Sequence, residues 1–388
     1  MRIRSIEPIP VTFPLRREPM SLLFVKITTD DGLVGYGEAC DSYGCSYASV
    51  LATLIRDVYD PLLAGEELVA VEPLTEKLRM ATRRRLGDVW IAAQARSAVE
   101  IALWDLLGKA SGRSVSALIG RVRDAVEIYA SSTFLDEGPA SFHHELISRA
   151  TERGVTKAKV RLGPAWHDDL RVLTELRGLL PSDVELMIDG SETYTQATTV
   201  ELSRHLADLG IRWFEEPMPQ TAWAGIASAA RASAVPIAYG EHLFGVEEAI
   251  QVLESGVSVL QPDAAVNGGI SVARRMAQVA ASRYGARVVP HISAGPLALT
   301  ANLHLAATVP AIRLVEYSLH LVPAHEELSV GAKLGLDQVV DGMLPIPDGP
   351  GLGVDLDEAA AAKHPYSPPR GRVVGTSKGL LDRFNGDV

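Results

Sequence analysis

The chain has 388 residues, of which 47% are hydrophobic, and this is enough for one large core and a smaller second unit. The net charge of −11 argues against nucleic acid or an anionic membrane as the main partner. Two cysteines, Cys40 and Cys45, are too few for a disulfide framework and indicate a reducing compartment.

The first residues also lack the apolar core of a signal peptide, and no uninterrupted apolar run reaches about 18 residues. We therefore expect a cytoplasmic protein without a membrane-spanning helix.

The first 122 residues have the pattern of an α+β unit. Residues 3–11 alternate and contain prolines, which indicates an edge strand. Residues 22–29 and 33–39 flank an Asp-Asp-Gly turn, which predicts a hairpin. Helical spacing predicts three helices, over residues 48–63, 71–82 and 92–108.

From residue 126 the pattern changes to alternating strands and helices. The apolar runs predict eight strands, over residues 126–130, 157–162, 184–188, 211–214, 236–239, 257–260, 287–290 and 313–316. Helical patterns lie between them, for example over residues 168–180, 197–209, 246–256 and 270–284. Eight such units predict a closed α/β barrel over residues 123–320. A doubly wound sheet would usually show a Gly-rich phosphate turn, and none is present. After residue 318 the alternation stops, and we expect residues 321–388 to be irregular and to return to the first unit.

Three acidic residues end apolar runs at regular intervals. Asp189, Glu215 and Glu241 each follow such a run, and each lies 26 residues from the next. One strand and one helix of a barrel take roughly that length, so successive parallel strands would bring the three acids to the same C-terminal rim. Three carboxylates there would repel one another without a cation. Oxygen ligands suit Mg²⁺, which keeps positions for water or substrate oxygens, and we predict a Mg²⁺ site.

Other polar residues fall at the same predicted rim. The second barrel strand carries Lys157, Lys159 and Arg161 on one face, because strand side chains alternate. At least Lys159 and Arg161 would lie near the rim, opposite a metal-bound anion.

The last three barrel strands end in further polar residues. Asp263 and His291 end adjacent strands and can form a dyad in which the carboxylate fixes the imidazole tautomer for general acid/base work. Glu316 ends the eighth strand and could hydrogen-bond a substrate oxygen, best if protonated.

These residue types suit the removal of a proton next to a carboxylate. A carboxylate bound to a metal has an acidified α-proton, and its loss gives an enediolate whose charge the metal and Lys159 would stabilise. His291 could then act as the base, return a proton, or protonate a β-hydroxyl leaving group.

Taken with their neighbours, these residues form an ordered set. Its members are Lys159-Val160-Arg161, Asp189, Glu215-Glu216-Pro217, Gly240-Glu241, Gln261-Pro262-Asp263, His291 and Glu316, together with residues 95–105. The set resembles the mandelate racemase subgroup of the enolase superfamily, over essentially the whole chain. The resemblance implies a modified (β/α)₇β TIM barrel with an α+β capping domain, built from residues 1–122 and 321–388.

The resemblance also implies a function. It places Mg²⁺ on Asp189, Glu215 and Glu241, and it implies a small-molecule carboxylate substrate, selected by capping loops that match residues 13–20 and 41–47. Arg16, Arg17, Tyr43 and Tyr47 are the candidates in these loops. His242 and His320 are further candidates for substrate contact, or else satisfied structural residues. We also expect a homo-oligomer.

The second strand departs from the subgroup's Lys-x-Lys pattern. Alignment on the flanking glycines pairs Lys159 with Arg161, whereas an alternative frame pairs Lys157 with Lys159. Arginine is a poor base but a good anion clamp, so the first frame leaves His291 as the evident base. Ser191 stands where relatives often carry Asn or His, which removes another base.

One base favours dehydration of an acid sugar, an aldonate or aldarate, to a 2-keto-3-deoxy acid. The alternative is a racemase, epimerase or cycloisomerase on the same scaffold. A barrel-derived binding protein without catalysis would show an incomplete site, and every expected position is filled here.

Overall fold

The computed structural model describes residues 1–16 and 18–368, so Arg17 and the predicted tail from 369 to 388 lie outside the described residues. The N-terminal strands are β1 Ile3–Phe13, β2 Met20–Thr29 and β3 Val34–Ala39. The helices that follow are α1 Ala48–Leu54, α2 Asp60–Leu63, α3 Val71–Thr82, α4 Ile91–Ser111 and α5 Val115–Ile119.

The strands and helices predicted for the N-terminal part of the chain are confirmed. The strands β1, β2 and β3 form an antiparallel sheet in that order, with β1 at an edge. The predicted helix over 48–63 is helical throughout, but its middle, Ile55–Tyr59, is a π-helical segment that divides α1 from α2. The long helix α4 packs on the sheet and buries 16 of its 21 residues, since it also contacts the barrel helix Ile270–Tyr284.

The barrel contains eight strands and seven helices. Its strands are β4 Ala125–Phe134, β5 Lys157–Arg161, β6 Glu185–Asp189, β7 Phe214–Glu215, β8 Ile237–Tyr239, β9 Val259–Leu260, β10 Arg287–Val288 and β11 Leu314–Ser318. The helices between them are α6 Ala140–Thr151, α7 Trp166–Leu179, α8 Gln196–Asp208, α9 Trp223–Ala232, α10 Val246–Glu254, α11 Ile270–Tyr284 and α12 Pro296–Thr308.

All neighbouring barrel strands from β4 to β10 pair in parallel, and β11 pairs in parallel with β4. A parallel bridge between Val288 and Ile312 joins the two ends of the sheet, so that the barrel is nearly closed. The predicted (β/α)₇β barrel is therefore confirmed. Strands β7 to β10 are only two or three residues long.

The barrel interior is stacked in layers, as expected when strand side chains alternate. A middle layer is formed by Tyr129, Met187, Trp213, Ala238, Val259, Val289 and Leu314. Lys159 supplies the member from β5, with its Nζ 5.6 Å from the ring centroid of Tyr129. Two residues further along the strands, the same face presents Ser131, Arg161, Asp189, Glu215, Gln261, His291 and Glu316. The apolar layer thus forms the floor beneath a polar one.

The C-terminal segment is more regular than predicted. It contains α13 Val322–Glu327, β12 Ser329–Gly331, β13 Met343–Pro345, β14 Val354–Leu356 and α14 Glu358–Ala361. Strand β13 pairs with β4, and β12 pairs with β14. These strands are three residues long, too short to give a clear alternation in the sequence.

The end of this segment returns to the N-terminal sheet. Thr12 donates its backbone N–H to His364, and Glu358 accepts a hydrogen bond from Lys26 at 2.7 Å. The division of the chain at residues 122 and 320 stays a prediction.

A buried carboxylate joins the N-terminal sheet to the barrel. Glu38, at the end of β3, is fully buried and accepts hydrogen bonds from the backbone of Gly295 at 2.6 Å, Leu297 at 3.1 Å and Ala298 at 2.9 Å. These are orphan N–H groups at the start of α12, which a carboxylate satisfies well. Burial raises the pKa of Glu38 to about 8, against the lowering effect of these bonds. The loop that follows β3 is thereby fixed relative to the barrel.

Within residues 1–16 and 18–368, no helix combines the length and hydropathy needed to cross a membrane.

Candidate active site

The structure places the three predicted acids at the C-terminal rim of the barrel. Asp189 ends β6, Glu215 ends β7, and Glu241 follows β8, and all three are buried. Ser191 holds Asp189, donating its N–H at 2.7 Å and its hydroxyl at 3.1 Å to Oδ1. Gln261 donates to Glu215 Oε2 at 2.6 Å. Burial raises the pKa of Glu241, and the same cause raises the pKa of Glu215 to about 7.

Lys159 lies at the centre of this group and is fully buried. Its Nζ forms an ion pair with Glu215, lies 3.0 Å from Glu316 Oε1, and lies 3.8 Å from Asp189 Oδ2. Burial alone would lower the pKa of Lys159, but the three carboxylates outweigh this effect and raise it. The lysine is therefore a fixed positive charge in this arrangement.

Arg161 occupies the rim position above Lys159. Its Nε donates to Asp189 Oδ2 at 2.9 Å, and its Nη1 donates to the carbonyl of Ser132 at 2.8 Å. Lys157 instead points to the other end of the barrel, where it pairs with Glu127 and lies 3.8 Å from Glu185. The geometry therefore favours the frame in which Lys159 and Arg161 are the pair at the site.

The protonation state of Glu316 differs from our expectation that this residue would act best when protonated. Burial alone would raise its pKa, but Lys159, His291 and Arg161 lower it below its usual range. Its Oε2 also accepts the backbone N–H of Ile292 at 3.0 Å. Glu316 is thus an ionised acceptor that holds the two cations of β5, because both lie within 4 Å of its Oε1.

His291 and Asp263 form the predicted dyad. His291 Nδ1 lies 2.9 Å from Asp263 Oδ2, and both residues are buried. The other oxygen of Asp263 accepts hydrogen bonds from the backbone of Ala265 at 2.7 Å and from Asn302 at 2.8 Å. With both oxygens engaged, the carboxylate can only accept from His291, so Nδ1 carries a proton.

The second nitrogen of His291 faces the carboxylates. Nε2 lies 3.5 Å from Glu241 Oε1 and 4.0 Å from Glu316 Oε2. Burial alone would lower the pKa of His291, but Glu241, the bond with Asp263, and Glu316 raise it to about 9. The imidazole therefore presents a single nitrogen, Nε2, to whatever occupies the rim.

Above these groups lies a cavity of about 680 Å³. Its walls include Arg161, Asp189 and Glu241 from the rim, and Tyr43 and Tyr47 from the loop at 41–47. Ser42 in this loop donates its hydroxyl to Glu241. Of the candidates in the other loop, Arg16 stacks 4.0 Å from the ring centroid of Phe142.

Both candidate histidines also line the cavity. The ring of His320 stacks on Tyr43 at 5.6 Å, and burial lowers the pKa of His320 to about 3. His242 donates through Nδ1 to Glu216 Oε2 at 2.8 Å. Burial alone would lower its pKa, but Glu216 raises it to about 10.

Two acidic groups at the rim could hold a metal. One consists of Asp189, Glu215 and Glu241, whose oxygens face Arg161, Lys159 and Ser42 respectively. The other consists of Glu192, Glu216 and His242, whose ligand atoms lie within 4.8 Å of one another. In the second group the Glu216–His242 ion pair already offsets one of the two carboxylate charges.

Several residues of the site carry no sequence signal of their own. Asn302 orients Asp263 from α12, and Ser42 reaches Glu241 from the capping loop. Glu216 and His242, by contrast, were named from the sequence, Glu216 within the motif that contains Glu215 and His242 as a candidate for substrate contact.

A nearly closed parallel barrel with a polar rim and capping strands defines an enzyme scaffold of the enolase type. Residues 3–120 match the mandelate racemase/muconate lactonizing enzyme N-terminal domain, and residues 143–360 match the enolase C-terminal domain-like family. The chain belongs to the mandelate racemase/muconate lactonizing enzyme family of the enolase superfamily.

Curated relatives include dehydratases and a cycloisomerase. Arabinonate dehydratase of Saccharolobus solfataricus is 32% identical over 88% of this chain and 90% of its own length. D-galactarolactone cycloisomerase of Agrobacterium fabrum is 30% identical over 92% of this chain and 94% of its own length. Among solved structures, the 3,6-anhydro-D-galactonate cycloisomerase of Zobellia galactanivorans is 27% identical with a TM-score of 0.83, covering 95% of this chain and 100% of that one.

Proposed function

We propose that the protein is a Mg²⁺-dependent acid-sugar dehydratase. It removes the α-proton of an aldonate or aldarate at C2 and expels the C3 hydroxyl as water, which gives a 2-keto-3-deoxy acid after the enol tautomerises. The observation that carries the proposal is the asymmetry of the rim. A histidine–aspartate dyad stands on one side, and Lys159 and Arg161, both held as cations, stand on the other.

Asp189, Glu215 and Glu241 are the residues that would hold Mg²⁺. Their chemistry fits, because they offer only carboxylate oxygens from the ends of three adjacent strands. Four buried carboxylates, these three and Glu316, also outnumber the cationic groups that face them, which are Lys159, Arg161 and the imidazole of His291, and this leaves negative charge for a divalent ion to balance. When bound, Mg²⁺ would polarise the substrate carboxylate and acidify its α-proton.

The chain's own residues carry the proton transfers. In its neutral form His291 takes the α-proton at Nε2, while Asp263 keeps Nδ1 protonated and stabilises the resulting imidazolium. The same imidazolium then protonates the β-hydroxyl as it leaves, so one residue serves as base and acid. Lys159 stabilises the negative charge that develops on the substrate carboxylate. Arg161 clamps the substrate anion and does not compete as a base.

Product analysis in D₂O tests this function. We expect the mass of water to be lost from an acid sugar in the presence of Mg²⁺, with a 2-keto acid as the product. His291→Asn should abolish turnover while the far-UV circular dichroism spectrum stays unchanged. Deuterium uptake at the α-carbon without loss of water would contradict dehydration.

A cycloisomerase is the second candidate, since two of the similar proteins named above carry that activity. It would convert a lactone or anhydro acid into a product of unchanged mass, so the same mass spectra distinguish it. A screen of acid sugars and their lactones with Mg²⁺ would identify the substrate.

We further propose that the enzyme is a cytoplasmic homo-oligomer. The unpaired, buried Cys40 and Cys45 support a reducing compartment. Light scattering after gel filtration would give the number of subunits, and a monomer would contradict the second half of this proposal.

A further inference from the structure

The cavity is larger than a simple acid sugar requires. It has a volume of about 680 Å³ and is open to solvent on one side. A six-carbon aldonate has about 13 non-hydrogen atoms, and at the roughly 30 Å³ that a water occupies in the liquid it would fill at most about 400 Å³. More than a third of the space would then remain for another part of the ligand.

The outer part of this space has an apolar wall, formed by Tyr47, Val50, Trp90 and Ile91. All four line the cavity. Their exposed fractions are 53%, 47%, 40% and 46%, which is unusual for four large apolar side chains that line one cavity. They come from the capping loop, from α1, and from the start of α4. The wall therefore belongs to the N-terminal unit and faces the barrel rim.

The apolar wall is continuous with the reactive end of the cavity. The ring of Trp90 lies 5.3 Å from that of His242 and 5.1 Å from that of Phe244. His242 directly follows Glu241 in the chain. Trp90 also has a φ of +51°, a conformation that costs free energy in a tryptophan and is kept when the surroundings fix it. A ligand held at the rim would reach Trp90 by passing His242.

Polar side chains lie between the apolar ones. Ser46, Gln94, Glu192 and His242 line the same cavity. A pyranose ring has an apolar face of C–H groups and an edge of hydroxyls, so it suits aromatic rings combined with hydrogen-bonding groups. A purely apolar ligand would displace water from these polar groups without offering them a hydrogen bond in return.

We propose that the apolar wall is a second sugar subsite and that the enzyme takes aldobionates. These are disaccharides whose reducing-end unit has been oxidised to an aldonate. The inference rests on the proposed dehydration. The aldonate unit loses its C2 proton and its C3 hydroxyl as water, while the glycosidic bond at C4 or beyond stays intact. The second ring lies against Trp90 and Tyr47.

The test compares kcat/KM for aldobionates with kcat/KM for the matching aldonates, in wild type, Trp90→Ala and Tyr47→Ala. We expect the wild type to prefer the disaccharide. Trp90→Ala should reduce that preference about 10- to 30-fold, the effect of losing roughly 60–80 Å² of apolar contact. Tyr47→Ala should reduce it less. Leu86→Ala is the matched control, because Leu86 lies four residues before Trp90 in the chain, is 59% exposed and does not line the cavity, and it should leave the preference unchanged.

Binding to the His291→Asn protein separates the two proposals. Calorimetry should show tighter binding of the aldobionate than of the aldonate, and Trp90→Ala in that background should remove the difference. If aldonates are dehydrated but aldobionates are not, or if neither aromatic variant changes the preference, the subsite is wrong while the function stands. If no acid sugar binds or reacts, the proposed function fails.

Two further outcomes would also overturn the subsite. One is a change of subunit number in both aromatic variants with an unaltered preference, which would make the wall a contact between subunits. The other is a preference for acids with aromatic substituents over aldobionates. If Trp90→Ala does not fold, Tyr47→Ala and Ile91→Ser decide the question, because neither position has a positive φ.

Discussion

Asp263→Asn should disable the enzyme by reversing the tautomer of His291. In the wild type, Oδ2 faces His291 Nδ1, and Oδ1 accepts from Ala265 and Asn302. An asparagine has one oxygen and one NH₂ group, and either orientation opposes a donor to a donor.

The two orientations differ in cost. With NH₂ towards Ala265 and Asn302, two buried donors lose their acceptor, at about 1–3 kcal/mol each. With NH₂ towards His291, neutral imidazole can respond by accepting at Nδ1, which moves its proton to Nε2. The second orientation is cheaper, and it leaves no lone pair on the nitrogen that takes the α-proton.

We expect kcat to fall about 10³- to 10⁴-fold, by analogy with the loss that a wrong tautomer causes in hydrolytic triads. Initial rates of 2-keto acid formation give kcat, and ¹⁵N chemical shifts of the His291 ring report the tautomer. Mg²⁺ affinity by calorimetry is the control, and it should change less than threefold because Asp263 is not in the proposed ligand set. A kcat within tenfold of wild type, or an unchanged tautomer, would refute this reasoning.

Three other substitutions test the rim. Glu241→Gln should weaken Mg²⁺ binding at least tenfold by calorimetry, because a neutral amide replaces a charged ligand; an unchanged Kd would remove Glu241 from the ligand set. Arg161→Lys should add a second base, so substrate recovered from D₂O should contain more α-deuterium than with wild type, and equal labelling would argue against the role of Arg161. Glu316→Gln should lower the free energy of unfolding by about 1–3 kcal/mol at pH 7, since Lys159 and Arg161 lose a buried partner. The pKa of Glu316 is lowered in the folded state, so its stabilisation is present above the unfolded pKa of about 4.3 and fades as pH falls below it. Urea titrations at pH 7 and pH 3.5 should therefore show a smaller difference at the acid pH, and an equal or larger one would contradict the assignment.

The sequence predicted the barrel because its strands and helices differ in hydrophobic period. Helices α3 and α11 were predicted to the residue, and the barrel strands to within a few residues. The regular spacing of Asp189, Glu215 and Glu241 also placed these acids at one rim correctly. The short strands after Ser318 were missed, since three residues are too few to show a period.

Which side chains reach the site depends on how far along the barrel axis each strand is placed relative to its neighbours. The sequence of a single strand does not determine this placement. Lys157 and Arg161 lie on the same face of β5, four residues apart, and only the pairing with β6 shows that Lys157 belongs to the lower end. The ionised state of Glu316 depends in the same way on the position of Lys159 Nζ, which only the folded barrel defines. Asn302 lies on a helix distant in sequence from Asp263, so its contact requires the packed structure.

The bond network of Glu38 has a consequence for the evolution of the pocket. The cavity is walled by two units. The loop at 41–47, which follows β3 directly, forms its lid, and the rim of the barrel forms its floor. Because one buried carboxylate caps α12 from across the boundary, the lid cannot drift relative to the floor without leaving three N–H groups unsatisfied. Substrate range can then diverge through loop sequence alone, while the distance from loop to catalytic rim is inherited unchanged. A chimera that combined the lid of one relative with the barrel of another would preserve that distance only if it kept this joint.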